Sequence, residues 1–197
     1  MKTLTILLLA LISINTYAKK FAGVYLEPSI GYTSINLDTP TSSEGVRAET
    51  EMSGLNINLT LGYSGAIFFT GFYAGYAHEL DIDVTFVNTS GAEFKLDNTN
   101  TARNIYGGYL LGFKLGKYAR LSGYYDIAND LESFNEAGDS VSEGDTGYER
   151  YGLSLGLRLG KLTYLNLNYG VWKKVEVDTD DYKIHSVTAS LSFPIGF

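Results

Sequence analysis

The feature that most limits this chain is an alternation of apolar with small or polar side chains, repeated at a period of two. Leu55-Asn56-Ile57-Asn58-Leu59-Thr60-Leu61-Gly62-Tyr63 puts every apolar residue on one side. Tyr151-Gly152-Leu153-Ser154-Leu155-Gly156-Leu157-Arg158-Leu159 and Ala189-Ser190-Leu191-Ser192-Phe193-Pro194-Ile195-Gly196-Phe197 repeat the pattern. Successive side chains of a strand point to opposite faces, so these are strands with one apolar face. Their other face carries glycine, serine and asparagine. The outward face of a soluble sandwich usually carries longer charged residues. A face of small polar residues suits the crowded interior of a narrow barrel whose outside meets lipid.

Eight strands are predicted, over 21–35, 55–63, 66–87, 102–115, 118–128, 149–159, 162–177 and 183–197. Ser64-Gly65, Gly116-Lys117 and Gly160-Lys161 read as tight turns. The connections 36–54, 88–101, 129–148 and 178–182 are longer or more polar. Short turns at one end and longer loops at the other are expected of an outer-membrane barrel, and side chains can fill an eight-stranded interior. Gly112-Phe113-Lys114-Leu115-Gly116-Lys117 and Gly156-Leu157-Arg158-Leu159-Gly160-Lys161 match almost position for position, which fixes two of the hairpins.

Before the strands come Lys2, an apolar run from Leu4 to Ile12, and Thr16-Tyr17-Ala18. The run is too short to span a bilayer as a helix, which takes about 20 residues. It reads as a secretory signal peptide over 1–18, leaving 19–197 as one barrel domain. The absence of cysteine excludes a disulfide scaffold and thiolate metal sites. A formal net charge of −7 argues against nucleic acid as a partner.

The last residues alternate through Val187, Ala189, Leu191, Phe193, Ile195 and the terminal Phe197. That ending resembles the C-terminal assembly signal of Gram-negative outer-membrane proteins. With the leader and eight strands, the chain resembles the small barrels of the OmpA, OmpX and OmpW kind. The resemblance implies export to the outer membrane and recognition of Phe193, Ile195 and Phe197 by the barrel assembly machinery. It further implies contact with outer-membrane lipids and lipopolysaccharide, and a monomer with its long loops outside the cell. Two residues resist: Pro28 and Pro194 cannot donate to a ladder. A bulge or local break is expected at Pro28.

Parity places Glu27, Lys114, Arg120 and Arg158 inside, with Glu79 and Asp126 nearer the outer end. An arginine facing lipid at the midplane costs about 2–4 kcal/mol. Glu27 is expected to meet the three basic residues as a charged network that plugs the lumen, as in OmpA-like interiors. No catalytic, cofactor-binding or metal residues are predicted. His185 and Ser186 are adjacent in a strand and face opposite ways, so they cannot form the pair that acyl transfer needs. The Gly156–Gly160 segment has the wrong spacing for a phosphate loop. Asp178-Thr179-Asp180-Asp181 lacks the glycine and the distant glutamate of a calcium loop. The acidic outer connections, with Asp130, Glu132, Glu136, Asp139, Glu143, Asp145, Asp178, Asp180 and Asp181, read as solvated surface that could hold divalent cations.

The third strand offers the best lead to function. It is longer than the 9–11 residues that cross a bilayer. Its surplus is expected to stand above the membrane as a hairpin turning at Asn88-Thr89-Ser90-Gly91. Pairing Val84 with Leu96 and Phe86 with Phe94 puts them on one face with Leu80 and Ile82. The strand is expected to keep one parity throughout, and a bulge between Asp97 and Asn104 to restore the next. The expected function is a structural or adhesin-like role through the surface loops, this hairpin binding a surface protein or host partner. The alternatives are a narrow OmpW-like solute channel and a lipid A-modifying enzyme.

Overall fold

In the computed structural model the alternating stretches form a closed antiparallel barrel. It describes residues 23–39, 42, 45–96, 100–135, 140, 148–174 and 183–197. The leader, residues 97–99 and the acidic residues Glu136, Asp139, Glu143, Asp145, Asp178, Asp180 and Asp181 lie outside the described residues.

The strands are β1 (Gly23–Asp38), β2 (Val46–Ser64), β3 (Phe68–Asn88), β4 (Glu93–Leu96), β5 (Thr101–Leu115), β6 (Ala119–Phe134), β7 (Tyr148–Arg158), β8 (Tyr164–Lys174), β9 (Lys183–Ser192) and β10 (Ile195–Gly196). Eight positions make the ring, in the order β1-β2-β3-β5-β6-β7-β8-β9, and β9 pairs back onto β1. β10 continues β9 along the same seam, and among the described residues β4 pairs with β3 alone.

Pro28 and Pro194 both lie on that seam, one position out of register, with Pro28 opposite Phe193. The β1–β9 register (Ser29↔Ser192) continues unbroken into β1–β10 (Leu26↔Ile195, Tyr25↔Gly196). Phe193 N–H donates to Pro28 O at 3.0 Å. The expected bulge at Pro28 is therefore absent: β1 runs straight through it, and the bond a Pro28 N–H would make at the seam is left unmade. The strand assignment lapses instead at Phe193 and Pro194.

Strand phase carries the main result. On β1 the inward residues Tyr25, Glu27 and Thr33 give way to Ile35, while outward Val24, Ile30 and Tyr32 give way to Ser34, Asn36 and Asp38. On β2 the outward run Leu61, Leu59, Ile57, Leu55 becomes Ser53, Glu51, Glu49, Arg47, as inward Thr60 and Asn56 lead to Met52. β8 passes from Leu167 and Tyr169 to Lys173 outside, and from Asn166 to Trp172 inside. The lower part of the barrel is polar within and apolar without; the upper part is the reverse. A sheet that rises from hydrocarbon into water needs this inversion, because the outer solvent changes.

This inversion overturns two sequence expectations. Residues 36–54 are mostly strand, since β1 extends to Asp38 and β2 begins at Val46. The parity of β3 is not constant either. Its register shifts between His78 and Asp81 against β2 and between Ala77 and Leu80 against β5, leaving an extra residue on β3. β5 holds one phase from Ala102 to Lys114, so the adjustment expected between Asp97 and Asn104 sits on the neighbouring strand instead. A second bulge, at Ile127 on β6, inverts that strand as well. Below it Ser122 and Asp126 face in; above it Asn129 does.

Small residues on the inner face are a packing requirement. A Cβ on Gly75 would lie 2.3 Å from a Tyr106 ring carbon. The ring occupies the space that glycine leaves.

Candidate functional site

Two buried ion pairs stand at different heights in the lumen. Near the turn end, Arg120 of β6 forms a two-pronged pair with Glu27 of β1, one prong 2.7 Å long. The same guanidinium donates to Asn166 Oδ1 (2.8 Å) and Ser192 Oγ (3.2 Å), and lies 4.3 Å from the Tyr164 ring centroid. Planar two-pronged pairing is the strong geometry for arginine and carboxylate.

The charged network predicted around Glu27 is thus smaller than expected. Lys114 donates to the backbone carbonyl of Gly65, at the β2–β3 turn. Arg158 is exposed and holds the carbonyls of Gly160, Lys117 and Lys161 below the barrel rim. Both have inward parity but sit past the last full turn of the ring, where backbone carbonyls of the turns are nearer than Glu27.

Higher up lies a second pair that parity reasoning left unassembled. Arg150 of β7 contacts Asp126 of β6, with Nε to Oδ2 at 2.8 Å; the two side chains are 8% and 0% exposed. Tyr73 Oη–H and Asn129 Nδ2 also donate to the Asp126 carboxylate, and Asn104 Nδ2 donates to Asn129 Oδ1 at 2.6 Å. Arg150 lies against three rings, at 4.4 Å from Tyr106, 5.4 Å from Tyr124 and 5.2 Å from Trp172. Its position in phase with Gly152, Ser154 and Gly156 was the available signal. Between the pairs is a cavity of about 90 Å³, lined by Tyr25, Asn56, Asn58, Thr60, Asn168, Thr188 and neighbouring polar residues.

Above Arg150 the lumen turns apolar. Ile35, Met52, Ala77, Leu80, Ile82, Ala102, Trp172 and Ile184 form one buried cluster, with Leu37, Val84, Leu131 and Tyr148 packed on it. Every strand of the ring contributes: β1, β2, β3, β5, β6, β7, β8 and β9. Trp172 Nε1 finds a partner in Ser186 Oγ at 2.9 Å, so the indole carries no unmet donor.

The outer hairpin divides accordingly. Its register is the expected one, Val84↔Leu96 and Phe86↔Phe94. Its turn closes through Asn88, whose Oδ1 accepts from the backbone N–H of Ser90 and Ala92, with Gly91 at φ +79°. Leu80 and Ile82, however, are buried in the cluster rather than displayed; the β3 bulge turns them inward. Val84 is half-buried on it. Phe86, Phe94 and Leu96 are exposed, Phe94 at 65%.

Neither histidine faces the lumen. His78 Nδ1 pairs with Tyr76 Oη (2.9 Å) and His185 Nδ1 with Tyr169 Oη (3.0 Å), each stacked on its tyrosine on the outer face. Ser186 points inward. The C-terminal residues Phe193 and Ile195 are half-buried along the seam, and exposed Phe197 donates its N–H to Val24 O at 3.0 Å.

Solved structures share this architecture. Ail, the attachment invasion locus protein of Yersinia pestis, is 13% identical with a TM-score of 0.53, over 87% of this chain and 99% of that one. Ail in complex with the heparin analogue sucrose octasulfate gives 13% identity and a TM-score of 0.54, with the same coverage. OprG of Pseudomonas aeruginosa is 12% identical with a TM-score of 0.52, over 89% and 97% of the two chains. At such identities the likeness is one of fold. A search of curated proteins gives no match. The family of the outer membrane protein beta-barrel domain matches residues 4–193, nearly the whole sequence, and the chain belongs to that family of outer-membrane barrels.

Proposed function

We propose that the protein is a closed barrel that acts at the cell surface, through the sheet that β2, β3 and β4 raise above the membrane. One observation carries this reading: the apolar cluster to which all eight ring strands contribute. A hydrated ion would have to shed its water to cross that layer, and burying an unpaired charge there is prohibitive. The polar cavity beneath it then ends blind on the outer side. Among the described residues the surface left for function is the outer sheet, where Phe86, Phe94 and Leu96 remain exposed above the core.

The protein would reach the outer membrane by its leader, be inserted by the barrel assembly machinery through its C-terminal strand, and sit as a monomer among lipopolysaccharide. It would need no cofactor and catalyse no reaction. Among the charged outward residues of the upper sheet, Glu49, Glu51, Asp81, Asp83 and Glu93 outnumber Arg47 and Lys95. A polyanion of the kind complexed with Ail therefore does not suit this surface; a protein partner does.

The test has two arms. Refolded protein in planar bilayers is expected to show no steady conductance. Cells displaying the protein are expected to adhere to a cultured cell monolayer, and Phe94→Glu or Leu96→Glu to abolish adhesion while the barrel stays heat-modifiable on gels. Large, steady conductance of the unmodified protein would establish the channel reading instead. Adhesion unchanged by both substitutions would remove the outer sheet from consideration.

A further inference from the structure

We propose that the turn end of the barrel binds the phosphate headgroup of an anionic glycerophospholipid in the periplasmic leaflet, through Lys117 and Lys161 held side by side by Arg158. Charge is unevenly spread along the barrel. Of the 22 acidic residues in the sequence, only Glu27 and Asp126 belong to the membrane-spanning part, and each is paired inside the lumen. The others belong to the upper strand ends or the outer connections. Residues 1–22 and the three turns contain no aspartate or glutamate. Lys114, Lys117, Arg158 and Lys161 all lie at the turn end. A chain with a formal net charge of −7 is thus basic at this one end.

The turns hold these cations together without neutralising them. Arg158 N–H donates to Tyr118 O at 2.7 Å, which joins the β5–β6 turn to the end of β7. The Arg158 guanidinium donates to the carbonyls of Lys117 and Lys161, one on each turn, and to that of Gly160. Lys114 donates to Gly65 O on the remaining turn. Carbonyl oxygens orient a cation and leave its charge in place. Lys117 and Lys161 are exposed, and among the described residues neither forms an ion pair. The Lys117 ammonium lies over the Tyr118 ring, 4.7 Å from its centroid.

The outer face fixes the occupant. Leu115, Tyr118, Leu157 and Leu159 are exposed at this end, where the apolar band of the barrel meets acyl chains. Lys117 and Lys161 each stand two residues beyond the last outward leucine of their strand, Leu115 and Leu159. Long basic side chains at the edge of an apolar band reach to the headgroup level. The anion that a bilayer supplies at that height is a lipid phosphate. An anionic headgroup suits two adjacent lysines better than a zwitterionic one, whose own ammonium would compete with them.

The experiment uses full-length protein refolded into phosphatidylcholine nanodiscs, with the fraction of phosphatidylglycerol raised in steps and backbone amide shifts followed by NMR. Amides of residues 116–118 and 158–161 are expected to shift saturably, while those of the acidic outer strand ends stay in place. One basic side chain near an anionic membrane surface favours it about fivefold. Lys117→Gln combined with Lys161→Gln is therefore expected to weaken the apparent affinity by at least about fivefold. Lys173→Gln, at the opposite end, is expected to leave it unchanged. Salt at about 1 M, where the Debye length is about 3 Å, is expected to abolish the shifts. Heat modifiability reports the fold of each variant. Turn amides that do not move, that move no more than those of the outer end, or that move undiminished in the folded double variant overturn the site. Equal weakening by Lys173→Gln does so too. A larger response of the same amides to soluble polyglutamate in pure phosphatidylcholine would assign the rim to an acidic protein and overturn the lipid site.

Discussion

Asp126→Asn should be the most damaging isosteric change in the lumen. Asp126 is fully buried and is the carboxylate that Arg150 contacts at 2.8 Å. Asparagine keeps the shape, so the variant isolates the charge. Removing one member of a buried pair typically costs about 3–5 kcal/mol, because the other ion is stranded. Two features soften that here. The three rings around Arg150 retain some attraction for the cation. The adjoining cavity of about 90 Å³ has space for roughly three waters. A loss of about 2–4 kcal/mol follows. Glu27→Gln should cost less, about 1–2 kcal/mol, because Arg120 keeps Asn166, Ser192 and the Tyr164 ring. Equilibrium urea unfolding in micelles measures both. The single tryptophan, Trp172, is a local reporter, 5.2 Å from the Arg150 guanidinium. A double-mutant cycle with Arg150→Met should give a coupling of about 1–3 kcal/mol. Additive losses, or a larger loss for Glu27→Gln, would refute the reasoning.

In planar bilayers Glu27→Ala should remain as silent as the unmodified protein, because the apolar cluster still lies beyond the cavity; combining Leu80→Ser with Ile82→Ser should produce discrete current steps. Leu80→Ala should lower unfolding stability by about 2–5 kcal/mol, and Phe94→Ala by under about 1 kcal/mol, measured by the same urea titration. Gly91→Val, at φ +79°, should cost about 1–2 kcal/mol locally; hydrogen exchange should quicken at the hairpin amides and stay unchanged in β7 and β8.

The barrel was legible in the sequence because its lower half obeys a single rule. Leu55 to Tyr63 and Tyr151 to Leu159 alternate without interruption, and the three turns fall where glycine marks them, followed by lysine in two of the three. The hairpin register was legible too, since only one offset brings Val84 to Leu96 and Phe86 to Phe94, and it closes at Asn88 and Ala92 around residues 89–91. The lumen was half legible. Parity assigned Glu27, Arg120 and Asp126 correctly to the inside, but it says nothing of height. Lys114 and Arg158 have the right parity and still sit among turn carbonyls. Arg150 has the same parity and sits in the centre.

What was least legible is the level at which the solvent changes, and that level organises the whole upper half. On β2, the step from Leu55 to Ser53 outside, and from Asn56 to Met52 inside, keeps strict alternation while exchanging the roles of the two faces. Read with one rule, that step looks like the end of a strand, and residues 36–54 look like a loop. Read with two solvents, the strand continues, because water now rewards the polar face outside and the apolar face within. β3 could not meet the new rule by composition. Its apolar residues Phe68, Phe72 and Tyr76 share a phase with His78, Leu80, Ile82 and Val84. Were these same residues to run on without the bulge at 78–79, Leu80 and Ile82 would project into water and the cluster would lack two of its members. The bulge inverts the strand at the boundary, and the β6 bulge at Ile127 does the same two positions around the ring. Deleting Glu79 removes the extra residue itself: Ala77 and Leu80 then lie two positions apart, so plain alternation keeps Leu80 and Ile82 inside without a bulge. The barrel should still insert, since the membrane-spanning part below Ala77 is untouched, and the cluster should stay closed. The expected signature is a heat-modifiable, correctly inserted protein that stays silent in bilayers and keeps its β3–β4 amide protection. A deletion variant that conducts and has lost that protection would mean that the apolar layer depends on the bulge itself and not on the phase of Leu80 and Ile82.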